Sequence, residues 1–109
     1  MFSATFMFNK KQFDADFYRL DKAIAEIAQN TLGYLGEEAW ENSATGLVSN
    51  VYYWQTIEGL HELMNHPTHQ EAKTKQRNWL NGYQVIIAEV LRAYGDGSII
   101  HPTSSLHKS

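Results

Sequence analysis

The sequence of 109 residues predicts an α+β domain of the ferredoxin-like type, with the element order β-α-β-β-α-β. Two observations lead to this prediction. Apolar residues alternate with other residues at the start of the chain, as they do in a strand, and then recur every three or four residues, as they do in a helix. Two adjacent segments rich in aromatic and β-branched residues, a broken helical pattern and a final β-prone segment complete the order. Such a domain has a four-stranded antiparallel sheet with the helices on one face.

The first half of the chain predicts a strand, a helix and a hairpin. Residues 2–9 (FSATFMFN) have the period of two that is typical of a strand, with Phe8 on one face and Asn9 on the other. Apolar residues from Phe13 to Ala28 have helical spacing and predict a helix of about four turns. The segments YLGEEAWEN and GLVSNVYYW flank the loop NSATG and predict the hairpin of strands two and three.

The second half predicts a broken helix, a long strand and a tail. Thr56 can cap a short helix, and His66 followed by proline restarts the helix with proline at its first position. The segment YQVIIAEVLRAY, residues 83–94, predicts an unusually long fourth strand. We assign residues 1–95 to one domain and residues 96–109 to a C-terminal tail, whose turn and linker composition predicts mobility, although its two isoleucines could dock.

Composition excludes several classes of function. There are 9 basic and 12 acidic residues, giving a net charge of −3, and the basic residues are scattered, so nucleic acid is not an expected partner. The absence of cysteine excludes disulfides, thiolate metal sites and a cysteine nucleophile. The first residues lack the pattern of a signal peptide, and no apolar run is long enough to span a bilayer. We therefore predict a cytoplasmic protein with no membrane partner.

Apolar and aromatic residues occur at both parities of strands one, three and four, so neither face of the sheet resembles a solvated surface. The helices can cover only one face. We therefore expect a homodimer in which two sheets pack against each other. The alternative is a monomer with an exposed aromatic face.

Three segments, TLGYLGEEAWE, VYYWQTIEGLHELMNHPTHQEAK and WLNGYQVIIAEVLRAYG, resemble the antibiotic biosynthesis monooxygenase family of dimeric α/β-barrel proteins. The resemblance covers residues 2–95. It implies a homodimer with a ligand pocket between sheet and helices in each subunit. It also implies oxygen insertion into a small aromatic or quinone-type substrate without metal or organic cofactor or, in a related branch, haem breakdown.

His69 and Asn9 are the candidate catalytic residues. His69 shares one side of its helix with Ala72, Gln76 and Trp79, so it is expected to point at the sheet, where its imidazole could act as a base. Alternatively, it caps the broken helix or binds a loop carbonyl. Asn9 could orient oxygen or a substrate carbonyl, or it could cap a turn.

Aromatic and aliphatic side chains are expected to line the pocket with these two residues. A flat ligand suits aromatic walls, although aromatic residues also build cores and dimer interfaces. The predicted lining residues are Tyr52, Trp54, Leu63, Trp79 and Tyr83.

The histidine-rich stretch does not predict a metal site. His61, His66 and His69 are interrupted by a proline, and no acidic residue lies at a defined ligand spacing. His61 is expected to be exposed, and His66 to be a helix cap.

Haem binding or degradation is an alternative function. In the haem-degrading branch an Asn on strand one matches Asn9, but the Trp and His positions fall near Leu63 and Lys73, unless a shift of four residues puts His69 in the His position. A dimer that binds a small ligand without catalysis is a third possibility.

Overall fold

The computed structural model describes residues 1–106, with the side chains of 105 and 106 excepted, and the last part of the predicted tail, residues 107–109, lies outside the described residues. The predicted element order is confirmed. The elements are β1 (Phe2–Lys10), α1 (Ala15–Gln29), β2 (Tyr34–Glu41), β3 (Leu47–Trp54), α2 (Ile57–Asn65), α3 (Pro67–Lys75) and β4 (Leu80–Glu89), with short 3-10 turns at Gln76–Asn78 and Pro102–Leu106. None of the helices within residues 1–106 is long and apolar enough to cross a membrane.

The four strands form one antiparallel sheet in the order β2-β3-β1-β4. Phe8 of β1 lies between Val48 and Tyr83 in register, so these three side chains share the face that the helices cover. We call this the helix face and the opposite one the outer face. The prediction that helices pack on one face of an antiparallel sheet is therefore confirmed.

The fourth strand is shorter at its end than the sequence predicts. Its last residue, Glu89, pairs with Phe2 at the beginning of β1. β4 is an edge strand with β1 as its neighbour, and beyond Glu89 the pairing within the described residues continues only as one hydrogen bond, from the Val90 N–H to the Met1 carbonyl at 2.8 Å. The predicted extension to Tyr94 is wrong for this reason: sequence preference for β structure does not supply a hydrogen-bonding partner.

The core lies between the sheet and helices α1 and α2, and Trp54 at the end of β3 is its centre. This side chain is 0% exposed, and its indole Nε1 donates a hydrogen bond of 2.7 Å to Thr31 Oγ1. The Thr31 hydroxyl in turn donates to the carbonyl of Ala28 at 2.6 Å. The polar atom of the largest core residue is thus satisfied, which removes the cost of burying it.

The helix break between α2 and α3 is built by the sequence HPT. His66 Nδ1 accepts a hydrogen bond of 3.1 Å from the Thr68 backbone N–H, and Pro67 occupies the first helical position. This confirms the prediction that His66 is a helix cap. The same three residue types recur in the tail, where His101 Nδ1 accepts from the Thr103 N–H at 3.1 Å.

The tail is anchored to the outer face of the sheet at its second HPT sequence. His101 Nε2 lies 2.9 Å from Glu38 Oε2, and the Tyr53 hydroxyl donates to Glu38 Oε1 at 2.8 Å. Thr103 is buried. The two isoleucines, which could have docked, do not, since Ile99 and Ile100 are 75% and 97% exposed. A partly buried hydrogen-bonding cluster anchors this part of the chain instead.

Candidate functional site

A cavity of about 460 Å³ lies between the helix face of the sheet and the three helices. Its volume is in the range of pockets that hold small organic ligands, and most of its wall is apolar. The structure places six predicted residues on the wall: Tyr52, Trp54, Leu63, His69, Trp79 and Tyr83. Their contribution to ligand binding stays a prediction.

Asn9 does not belong to this cavity. It is exposed, and it follows Phe8, whose side chain lines the cavity. Successive side chains of a strand point to opposite faces, so Asn9 lies on the outer face, in register with Leu47. The prediction that Asn9 and His69 share one pocket is therefore wrong.

His69 lies in the first turns of α3, and its ring lines the cavity. Among the described residues its Nδ1 atom is buried and has no hydrogen-bond partner. The cap role considered for His69 does not apply, since the cap of α3 is His66. The carbonyl role does apply to the ring, which contacts the backbone carbonyl of Met64, an oxygen that also accepts from Gln70 Nε2 at 2.7 Å. This contact still leaves Nδ1 without a partner among the described residues.

The surroundings of His69 favour its neutral form. Burial lowers the pKa of His69, the positive charge of Lys73 one helical turn away lowers it further, and the carbonyl of Met64 acts in the opposite direction. A neutral imidazole on the wall of an apolar cavity has the protonation state that a general base requires.

Helix α3 is held in place on its other side by a surface ion-pair network with α1. Arg19 contacts both Asp16 and Glu71 at 2.7 Å, and Lys75 contacts the same two carboxylates at 2.8 and 3.0 Å. The Lys75 hydrogen bond, followed by that of Arg19, lowers the pKa of Asp16 and of Glu71. The network lies on the opposite side of α3 from His69, which faces the cavity.

The two tryptophans of the cavity are rigid walls. Trp54 is fully buried at the closed end of the cavity and bonded to Thr31. Trp79 is also buried, and its Nε1 donates to Asp14 Oδ1 at 3.0 Å. The ring of Phe17 meets Trp79 edge to face at a centroid distance of 5.4 Å. Both tryptophans therefore fix the shape of the cavity and present little free surface for a ligand to stack on.

The cavity opens along β4. Tyr83, Val85 and Ile87 alternate along this edge strand, line the cavity and are exposed. Phe6 and Phe8 continue the apolar floor on β1, and the rings of Phe6 and Tyr83 are 5.8 Å apart. A flat apolar compound that enters beneath α3 would therefore contact aromatic and aliphatic side chains before it reaches His69.

Sequence reasoning missed two charged residues of the wall. Asp21 on α1 and Lys73 on α3 both line the cavity. A signal for each was present, since Asp21 follows Leu20 and precedes Ile24 at core-facing helical spacing, and Lys73 is four residues after His69. Tyr52 lies near Asp21, and burial, then the charge of Glu37, then that of Asp21 raise the pKa of its phenol.

Within residues 1–106, no group of three or more His, Asp or Glu side chains is arranged so that it could hold a metal ion.

Comparisons with known proteins identify one sequence relative and a set of structural neighbours. No family model matches the chain. The uncharacterized protein YqjZ of Bacillus subtilis (strain 168) is 30% identical over 84 residues, which are 76% of this chain and 73% of YqjZ.

Among solved structures, SnoaB of Streptomyces nogalater, a cofactor-independent oxygenase, superposes with a TM-score of 0.67 at 11% identity over 84% of this chain and 94% of SnoaB. An antibiotic biosynthesis monooxygenase superposes with a TM-score of 0.64 at 11% identity, over 84% of this chain and 99% of the other. At such identities these two likenesses establish the fold.

Proposed function

We propose that this chain, which belongs to the family of Bacillus subtilis YqjZ, is a monooxygenase that needs no cofactor. It has the fold of antibiotic biosynthesis monooxygenases and of a cofactor-independent oxygenase. Its substrate is a small aromatic or quinone-type compound, bound in the cavity between sheet and helices. The observation that carries the proposal is the neutral imidazole of His69 on the wall of an apolar cavity, with an Nδ1 atom that no described residue binds. A fold shared with oxygenases does not by itself define an activity, so the proposal depends on this site.

The proposed reaction requires one base and a pocket that excludes water. An anthrone-type substrate carries an acidic methylene beside an electron-rich ring system, and loss of one proton to His69 gives a carbanion that can pass an electron to dioxygen. The carbon and oxygen radicals then combine to a peroxide, which loses water. One oxygen atom ends as the new carbonyl and the other as water, so the substrate supplies all four electrons. The apolar wall keeps bulk water from the carbanion.

The activity test is oxygen consumption by purified protein that has been treated with a metal chelator and dialysed. We expect uptake of one dioxygen per anthrone-type substrate converted to quinone, with one labelled oxygen atom in the product when the gas is isotopically labelled. A protein that binds the substrate but consumes no oxygen above the uncatalysed rate would instead belong to the binding class. Activity that depends on an added metal would also contradict the proposal.

The haem alternative has lost support. Asn9, its direct match, lies on the outer face and away from the cavity, and His69 lines the cavity but matches the His position only after a shift of four residues. No step of the proposed reaction uses haem. A cytoplasmic location stays a prediction.

We also propose that two copies pack through their outer faces. Trp40, Leu47 and Ile86 lie on this face and are exposed, and a shallow depression of about 510 Å³ adjoins the first two. The anchored tail contacts the face at Glu38 and Tyr53 through His101. Exposed apolar surface of this kind is typical of an interface.

Light scattering at micromolar concentration should therefore give twice the chain mass of 12.5 kDa. Ile86→Asp should shift the protein toward the monomer, because it places a charge in the proposed interface. Val85→Asp is the matched control: it is adjacent on β4 and similarly exposed, 49% against 43%, but faces the cavity. A wild-type monomer, or equal dissociation by both variants, would contradict an interface on the outer face.

A further inference from the structure

We infer that the cavity is electrically polarised and selects a planar aromatic compound whose acidic group faces α3, with Lys73 as the residue that selects the anion. This inference rests on the proposed function and deepens it by naming the substrate class. The acidic group is a phenol, an enolisable ketone or a carboxylic acid, each of which presents an anionic oxygen.

The positive side of the cavity is on α3. Lys73 and His69 are one helical turn apart, and both line the cavity. Lys73 is the one Lys or Arg side chain on the cavity wall within the described residues. The other lysine of α3, Lys75, is engaged outside the cavity by Asp16 and Glu71. Lys73 is exposed, so its charge lies at the mouth, where an entering ligand passes it.

The negative side is on α1 and β2. Asp21 lines the cavity from α1, and Glu37 of β2 accepts a hydrogen bond of 3.1 Å from the Tyr34 hydroxyl. Burial raises the pKa of Asp21, and the negative charge of Glu37 raises it further. An anionic group is repelled at this end and attracted at the other.

The polarity also suits the proposed reaction. Proton transfer from a substrate to His69 creates an anion beside a new imidazolium. The charge of Lys73 disfavours the imidazolium but stabilises the anion between them, whereas at the Asp21 end the same anion would meet negative charge. A substrate bound with its acidic group toward α3 therefore has both the base and the stabilising charge within one helical turn.

The test uses two fluorescent probes that differ in one charge: anilinonaphthalene sulfonate, which is an aromatic anion, and its uncharged parent, phenylnaphthylamine. Binding is measured at about pH 8, where His69 is neutral whether or not Lys73 is present. We expect Lys73→Met to weaken binding of the sulfonate roughly tenfold and to change binding of the uncharged probe less than about twofold. Lys22→Met, on the exposed surface of α1, removes the same charge away from the cavity and should change neither.

Asp21→Asn should have the opposite effect to Lys73→Met and tighten binding of the sulfonate by a few fold. Added salt should weaken the sulfonate complex of the wild type and leave that of the uncharged probe unchanged. If Lys73→Met weakens binding of both probes equally, the ligand contacts the aliphatic part of Lys73 and not its charge, and the inference is overturned. An unchanged affinity for the sulfonate would also overturn it. The assay involves no oxygen chemistry, so charge-selective binding without oxygen uptake would overturn only the proposed function.

Discussion

Gly59→Ala should destabilise the protein by about 3 kcal/mol or more, which for a domain of this size lowers the melting temperature by on the order of 15 °C. Gly59 is buried in the first turn of α2. A Cβ atom built there would overlap the carbonyl oxygen of Leu32 and the indole of Trp54. Neither can yield easily, since one is backbone and the other is the fully buried centre of the core. Thermal unfolding followed by circular dichroism measures the effect.

The expected loss of stability is informative because helix propensity alone predicts a gain. Intrinsic helix propensity favours alanine over glycine by about 1 kcal/mol within a helix, so a position without close neighbours would be stabilised by the change. His61→Ala on the same helix is the control, because His61 is exposed, and it should stay within about 0.5 kcal/mol of the wild type. A Gly59→Ala protein as stable as the wild type would show that α2 can move away from Trp54.

The parts of the fold that were predicted correctly depend on neighbours in sequence. Alternation placed Phe8 on one face of β1, and helical spacing placed His69 and Trp79 on the side of the broken helix that faces the cavity. The cap formed by His66 is likewise local, since its partner is Thr68. Periodicity and capping are properties of short segments, so one sequence is enough to find them.

The features that were missed depend on contacts between distant segments. Trp54 was expected to be available for stacking, but its indole is engaged by Thr31, 23 residues away. His101 is anchored by Glu38, 63 residues away. No pattern in the sequence specifies these pairs, because they depend on how the sheet brings segments together.

Asn9 is a different case. The alternation of β1 already placed it on the face opposite Phe8, and the structure agrees with that pattern. Its assignment to the pocket came instead from its polar side chain at the end of the strand. The alternation along β1 therefore predicted the face of Asn9 correctly, whereas its polar side chain at the strand end did not. The difference matters because a shift of one residue in a strand moves a side chain to the other face.

Replacing His69 by alanine should abolish oxygen uptake and leave the melting temperature nearly unchanged. The loss of activity follows if the imidazole is the base, since no other neutral base is placed on α3 beside the cavity within the described residues. The small effect on stability follows because His69 is not the cap of α3, its Nδ1 makes no hydrogen bond, and the carbonyl of Met64 that its ring contacts keeps Gln70 as a donor. His66→Ala is the control: loss of a cap should cost about 1 kcal/mol and leave turnover in place.

The pH dependence gives a second, independent check on His69. The rate requires the neutral ring, and the pKa of His69 is lowered, so activity should stay level down to pH values below about 6.5 and fall only as pH passes through the lowered pKa. The unfolded chain binds the proton more readily than the folded one. The wild type should therefore lose stability relative to His69→Ala as pH falls from about 6.5 through that lowered pKa. A variant that is destabilised yet active, or a rate that already declines well above pH 6.5, would show that His69 is a structural residue and that the base lies elsewhere.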